Sequence, residues 1–281
     1  MSQNPARRSP TIRRPRPQVA IPTFGSTCRL IREDLGLSLT RAHPRLGVAR
    51  STLTDVENGF LPTLETVDRI IAGYELDPLM TRHLRELLAP AEDLPPTDYL
   101  RQCVREKTAA IDHLRDLDER GVLAAYLDPF WNMLACNDSF RAAAPRLTET
   151  ELIPEWLFSP SANTVFLDWH SEATHTVASH KTILGRYRDS EQAQHFIQTM
   201  GQKPEFVDLW TSSIRIAYGR NTSDLLHLRD PTGEPVSYSL SISNVTQTEH
   251  VLLVTAIRKP YSGPASHQSA TASRHASATR R

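Results

Sequence analysis

Between Cys28 and Gly59 apolar residues recur three and four positions apart, and the recurrence is broken at Gly36, Gly47 and Gly59. Residues at that spacing share one face of a helix and are buried together, so the stretch can fold only as short helices separated by sharp turns. Ile31, Leu35 and Leu37 close a first helix that ends at Gly36. Ser38 caps a second by accepting a backbone N–H bond, with Ala42 and Leu46 facing inward until Gly47 permits a turn that other residues resist. Val48 plugs that turn. A third helix, Ala49 to Asn58, places Leu53 and Val56 inward.

The opposite face of the third helix gathers Arg50, Ser51, Thr54, Asp55 and Asn58. The major groove of DNA admits one helix, and base edges present donors and acceptors that these side chains match, Arg on guanine being the commonest pairing. Arg50 is the first candidate for base reading, and Asp55 can accept from a cytosine amine. Asn58 and Thr63, where the chain leaves the groove, are candidates for phosphate contacts, which position without specifying sequence.

These residues resemble the lambda-repressor-type (XRE) helix-turn-helix family from about Phe24 to Asp77. The resemblance implies a structural pair, Arg32 in the first helix with Glu57 at the end of the recognition helix. Three positions depart from the family pattern. Leu39 stands where the family often has a phosphate-contacting Gln, His43 replaces a small residue at a helix crossing, and Pro44 lies inside the second helix. A proline there removes a backbone bond and clashes with the preceding turn, so this helix is expected to be kinked or to begin late.

With 281 residues the chain has material for two domains. No apolar run approaches the ~20 residues that span a bilayer, so a cytoplasmic protein without membrane contact is expected. Lys plus Arg balances Asp plus Glu at 32 each, but unevenly: residues 1–20 carry five Arg and no acid, whereas 97–257 carry fourteen basic and twenty-one acidic groups. The Pro-rich arm from Arg7 to Arg16 is therefore expected to be disordered and able to lie along a DNA backbone. A Ser-, Ala- and His-rich tail is expected to be disordered likewise. The expected division is a basic arm (1–22), a helix-turn-helix domain (23–89), a linker and connecting helix (90–120), a second domain (121–258) and the tail (259–281). The connecting segment, read as one helix from Tyr99 to Leu117, is a candidate for coupling domains or pairing two protomers.

From Gly121 the pattern turns to strands. Val122–Leu127 and Trp131–Cys136 flank the turn pair Asp128-Pro129, and Asn137 caps a following helix. Helices are expected over Phe166–Leu184 and Ser190–Met200 and from Pro204. Strands follow at Leu225–Arg229, Val236–Ile242 and Val251–Ile257. Two strands, a helical insert and three strands describe an α+β fold with an antiparallel sheet covered on one side by helices.

This region resembles the C-terminal, PAS-like domain of MmyB-like transcription regulators. The resemblance is carried by Trp131–Asn137, Leu157–Pro160, Val165–Trp169, Pro204–Trp210, Tyr238 and Val251–Thr255. Where the family has a basic His-Pro turn, Arg229-Asp230-Pro231 stands instead. The resemblance implies a pocket for a small apolar, fatty-acid-like ligand, and the domain is rich in the aromatics that line such pockets. Trp131, Phe140, Phe158, Phe166, Trp169, Trp210 and Tyr238 are the candidates.

His170, His175 and His180 recur every five residues, about 140° apart around a helix, and so would not converge on a metal. No nucleophile elbow or phosphate-binding Gly-rich loop occurs, and cysteines Cys28, Cys103 and Cys136 are expected as buried free thiols. The sequence thus points to a dimeric, non-catalytic regulator that binds double-stranded DNA and a small apolar ligand, without metal or other cofactor. The alternative is a ligand- or protein-binding module whose headpiece no longer reads DNA.

Overall fold

The computed structural model describes residues 19–221, 223–246 and 248–263. Five helices form the headpiece: α1 (Phe24–Asp34), α2 (Leu39–Leu46), α3 (Arg50–Glu57), α4 (Leu64–Tyr74) and α5 (Pro78–Leu88). Local chemistry sets their ends. Thr23 and Ser26 form a capping box on α1, and Ser38, Thr63 and Asp77 cap α2, α4 and α5. Phe24, Cys28, Ile31, Leu53, Val56, Ile70 and Leu84 make the core. Gly25 allows α1 to meet α3 backbone to backbone, since a Cβ there would lie 2.2 Å from the Val56 carbonyl oxygen.

Two expectations about these helices change. Leu35 caps the end of α1 but stays exposed, so Ile31, with the half-buried Leu37 just beyond the helix, carries that end into the core. The expected late start of the second helix does not occur. It begins at Leu39, directly behind Ser38, and continues through Pro44 to Leu46. In so short a helix the proline forfeits a single N–H bond, and the turn beyond it is braced by His43, whose Nδ1 lies 2.8 Å from the Val48 carbonyl oxygen.

The segment expected to be one connecting helix is two, α6 (Thr97–Glu106) and α7 (Thr108–Glu119), broken at Lys107, which is extended. Their apolar residues Leu100, Val104 and Leu114 pack on Ala124, Tyr126 and Leu134. They therefore belong to the second domain, and this stripe is not available for pairing protomers.

The strands are β1 (Leu123–Leu127), β2 (Met133–Cys136), β3 (Leu226–Arg229), β4 (Pro235–Asn244) and β5 (Leu252–Lys259). They form one antiparallel sheet in the order β2-β1-β5-β4-β3. Between β2 and β3 lie α8 (Asp138–Ala143), α9 (Ile153–Leu157), α10 (Pro160–Val165), α11 (Trp169–Arg186), α12 (Glu191–Met200) and α13 (Pro204–Ser212). The α+β class holds, but helices cover both faces at the β1–β2 end rather than one, which is why β1 is buried along its whole length. The fully buried Asp128 carboxylate organises the first hairpin by accepting from the Phe130 and Asn132 amides, both at 2.9 Å, and from the Thr97 hydroxyl at 2.8 Å.

Both terminal boundaries move. Val19, assigned by sequence to the arm, is 3% exposed and sits in the cluster around Phe130, Phe196 and Phe206. Beyond β5, the Ser262 amide donates to Ser237 Oγ at 3.1 Å, and the Tyr261 ring packs edge-on against His227. Residues 1–18 of the arm and 264–281 of the tail lie outside the described residues.

Candidate functional site

The candidate recognition surface is built on α3. Its inner face is held by Leu53 and Val56, and its C-terminal end by Glu57, whose buried carboxylate accepts from Arg32 Nε at 2.6 Å and Nη2 at 2.8 Å. A third Arg32 nitrogen donates to the Leu37 carbonyl. Arg29 adds a bond to the Glu57 carbonyl at 2.8 Å. This two-point ion pair locks α3 against α1 and sets the angle at which its outer face is presented.

On that face Arg50, Ser51, Asp55 and Asn58 are exposed and Thr54 is half-buried. Thr54 spends its hydroxyl proton on the Arg50 carbonyl at 2.9 Å, so toward solvent it can only accept. Asn58 Oδ1 is taken by Arg29 Nη2 at 3.1 Å, which leaves its amide N–H groups outward. Thr63 is exposed, but its hydroxyl caps α4.

Charge pairing singles out one residue that the sequence did not. Arg29, Arg32, Arg45, Arg69, Arg82 and Arg85 each pair with an acid, whereas Arg41 and Arg50 have no salt bridge among the described residues. Arg41 stands exposed near the N-terminus of α2. Two unpaired guanidinium groups beside one exposed helix can contact phosphate and base together.

The second candidate site is a cavity of about 130 Å³ between the sheet and the inserted helices. Trp131, Phe140, Trp156, Phe166, Leu226 and Val254 belong to its apolar wall, which reaches solvent at the partly exposed Ile242. Trp131 holds a left-handed φ of 65°, a strained conformation that the surrounding hairpin imposes. Of the sequence candidates, Trp131, Phe140 and Phe166 line the cavity. Phe158, Trp169 and Trp210 do not: they stack with Phe206 and Phe196 in a separate core, Phe158 to Trp169 at 5.5 Å and Phe206 to Trp210 at 5.6 Å. Tyr238 is buried within the sheet core and is likewise off the lining.

Four polar residues interrupt this wall: Glu172, His175 and Thr176 on α11, and Arg220. Arg220 meets Glu172 at two points, one of them Nη1 to Oε2 at 2.7 Å. Burial, and then the charge of Arg220, hold His175 below the usual histidine range. None of these four was a sequence candidate for the pocket, because Arg220 and Glu172 stand 48 positions apart. The histidine triplet scatters. His180 is fully buried and stacked on Phe196, with Nδ1 2.8 Å from the Thr176 carbonyl, and no cluster of possible metal ligands occurs among the described residues. Cys28 is buried, whereas Cys103 and Cys136 are only half-buried.

Recognition face and cavity are joined through α11. Its first turns line the cavity, and its far end packs on α5 of the headpiece, where Arg186 Nη2 bonds Glu86 at 3.1 Å. Residues 213–220 run back along the same helix: the Ala217 amide donates to the Ala178 carbonyl and Thr182 Oγ1 to the Ala217 carbonyl. From this strap Ile214 and Ile216 pack on the headpiece core. Tyr218 donates to Glu86 and lies under the Arg82 guanidinium, 3.9 Å from its ring centre. Arg220 ends it.

Residues 109–268 match the family described as MmyB-like transcription regulator ligand binding domain. The chain belongs to this family. Residues 23–84 match a helix-turn-helix domain. No curated protein matches the chain. A DNA-binding headpiece followed by a family ligand-binding domain is the architecture of a ligand-responsive transcription regulator. Among the described residues no helix is long and apolar enough to cross a membrane.

Proposed function

We propose that this MmyB-like family member reads a DNA half-site through Arg50, Ser51, Thr54 and Asp55, anchors on phosphate through Arg41, Asn58 and the backbone near Thr63, and senses a small apolar molecule with an anionic end. The observation that carries the reading is the exposure of the α3 face while the second domain docks on α5, leaving the groove-facing side clear. Two antiparallel copies would present two such faces to one duplex. Phe60, Leu61 and Leu64, 69%, 79% and 80% exposed directly beyond α3, supply apolar surface for that pairing.

The sensor reading rests on the apolar wall with one half-buried arginine, Arg220. A fatty-acid-like ligand would lay its chain against Trp131, Trp156 and Phe166 and compete with Glu172 for Arg220. At about 130 Å³ the cavity is below the ~300–1,000 Å³ usual for ligand sites, so a long acyl chain must displace wall side chains, and that displacement is the signal. The PAS-like assignment is supported by the sheet order and by the helical insert between β2 and β3.

Fluorescence anisotropy on double-stranded DNA from the gene's own upstream region tests the headpiece. Arg50→Ala should weaken binding by about 1–3 kcal/mol. Unchanged affinity would retire base reading and favour a module that binds partners instead. Native mass spectrometry of the full chain with decanoate tests the sensor, and absence of any adduct would overturn the ligand class.

A further inference from the structure

A groove of about 940 Å³, apart from both sites above, lies between the segment preceding α6, α6 itself, the start of α12 and the turn between β4 and β5. Six carboxylates line it against one lysine, Lys107: Glu92, Asp93, Glu106, Asp189, Glu191 and Glu249. Glu92 is paired with Arg186 at 3.3 Å and Glu106 accepts from Gln102. Asp93, Asp189, Glu191 and Glu249 are exposed and form no salt bridge with the described residues. Four unpaired acids around one concavity repel each other, and the field they focus there selects a cationic occupant.

An independent feature marks the groove as built for a donor. Gln192 is 6% exposed, its Nε2 donates to the Pro95 carbonyl at 2.6 Å, and its Oε1, buried in the wall, has no hydrogen-bond partner among the described residues. A buried acceptor left unmade is costly, about 1–3 kcal/mol, and an N–H donor in the groove would relieve it. Tyr99, 58% exposed on the same wall, offers a ring face suited to a guanidinium.

We propose that the groove docks the chain's own arginine-rich segment, Arg7 to Arg16. That segment holds Arg7, Arg8, Arg13, Arg14 and Arg16 without an acid, while residues 97–257 carry an excess of seven acids. Its connection ends nearby: Val19 is buried in the same cluster as Leu94 and Tyr187. Leu94 lines the groove, and Tyr187 packs edge-on against His250 of its wall at 5.8 Å. At ~3.3–3.6 Å per residue an extended chain carries Arg16 about 10 Å and Arg7 about 40 Å from Val19, which spans the groove. Guanidinium groups seated there are withheld from DNA phosphate, so docking holds back the arm.

Cys103 lines the groove and makes the test direct. In the full chain carrying Ser9→Cys, mild oxidation should form an intramolecular disulfide between positions 9 and 103, mapped by peptide mass spectrometry. Its yield should fall at least fivefold in 0.5 M salt, because screening shortens the Debye length. It should fall as far in the background Asp93→Asn, Asp189→Asn, Glu191→Gln, whose fold is checked by circular dichroism. No disulfide at Cys103, equal yield in the neutralised background, or a disulfide formed only between chains would each overturn docking of the arm on its own groove.

Discussion

Arg220 and Glu172 face each other across the cavity wall, Nη1 2.7 Å from Oε2, and are the only oppositely charged pair in that lining among the described residues. An incoming carboxylate has to compete with Glu172 for the same two-point geometry. Glu172→Gln should therefore tighten decanoate binding by about 1.5–3 kcal/mol, the worth of a hydrogen bond to a charged group, and leave decanol unchanged. Calorimetric titration of both ligands checks this, and equal gains would show that the carboxylate is not read by Arg220.

Removing Arg32 leaves the Glu57 carboxylate buried with only the longer Arg29 contact at 3.4 Å. Breaking a buried pair from one side costs about 3–5 kcal/mol. Arg32→Ala should lower the unfolding free energy of the headpiece by that amount, read from urea titration followed by circular dichroism. A loss under 1 kcal/mol would mean the pair is not what holds α3.

Gly185 on α11 lies against α5, where a Cβ would come 2.9 Å from Leu87 Cδ2 and 3.1 Å from His83 Cε1. Gly185→Leu has no room and should part the headpiece from the sensor. Faster proteolysis in residues 89–96, with DNA affinity kept but no longer altered by ligand, is the expected result.

His83 and His180 are both held down to about 4 from an ordinary 6.5, chiefly by burial. Their neutral forms fit the fold, so below pH 6.5 the unfolded chain takes up protons that the folded chain refuses. The contribution is complete above 6.5 and is lost as pH falls toward 4, about 2 kcal/mol for each ring at pH 5. Urea unfolding at pH 7.5 and pH 5 measures it, and His83→Leu should remove about half of the difference, leaving the share of His180.

What the sequence alone determined is local. Helix caps at Ser38 and Asn137, the turn at Gly47 and the polar face of α3 follow from local residue types and spacing, because a 3.6-residue period states which side of a helix is buried. The strands follow likewise from apolar runs of strand length set between turn residues.

The period does not state what a buried side meets. Only the tertiary structure split the segment around Lys107 into α6 and α7 and laid both on the sheet. It sent Phe158, Trp169 and Trp210 to one core and Trp131, Phe140 and Phe166 to the cavity, although all six are aromatics of similar pattern. It also brought Arg220 to Glu172 and assembled the acidic groove from four segments. Those pairings depend on long-range packing, in which burial, charge and shape are satisfied together, and no single stretch of the chain contains that information.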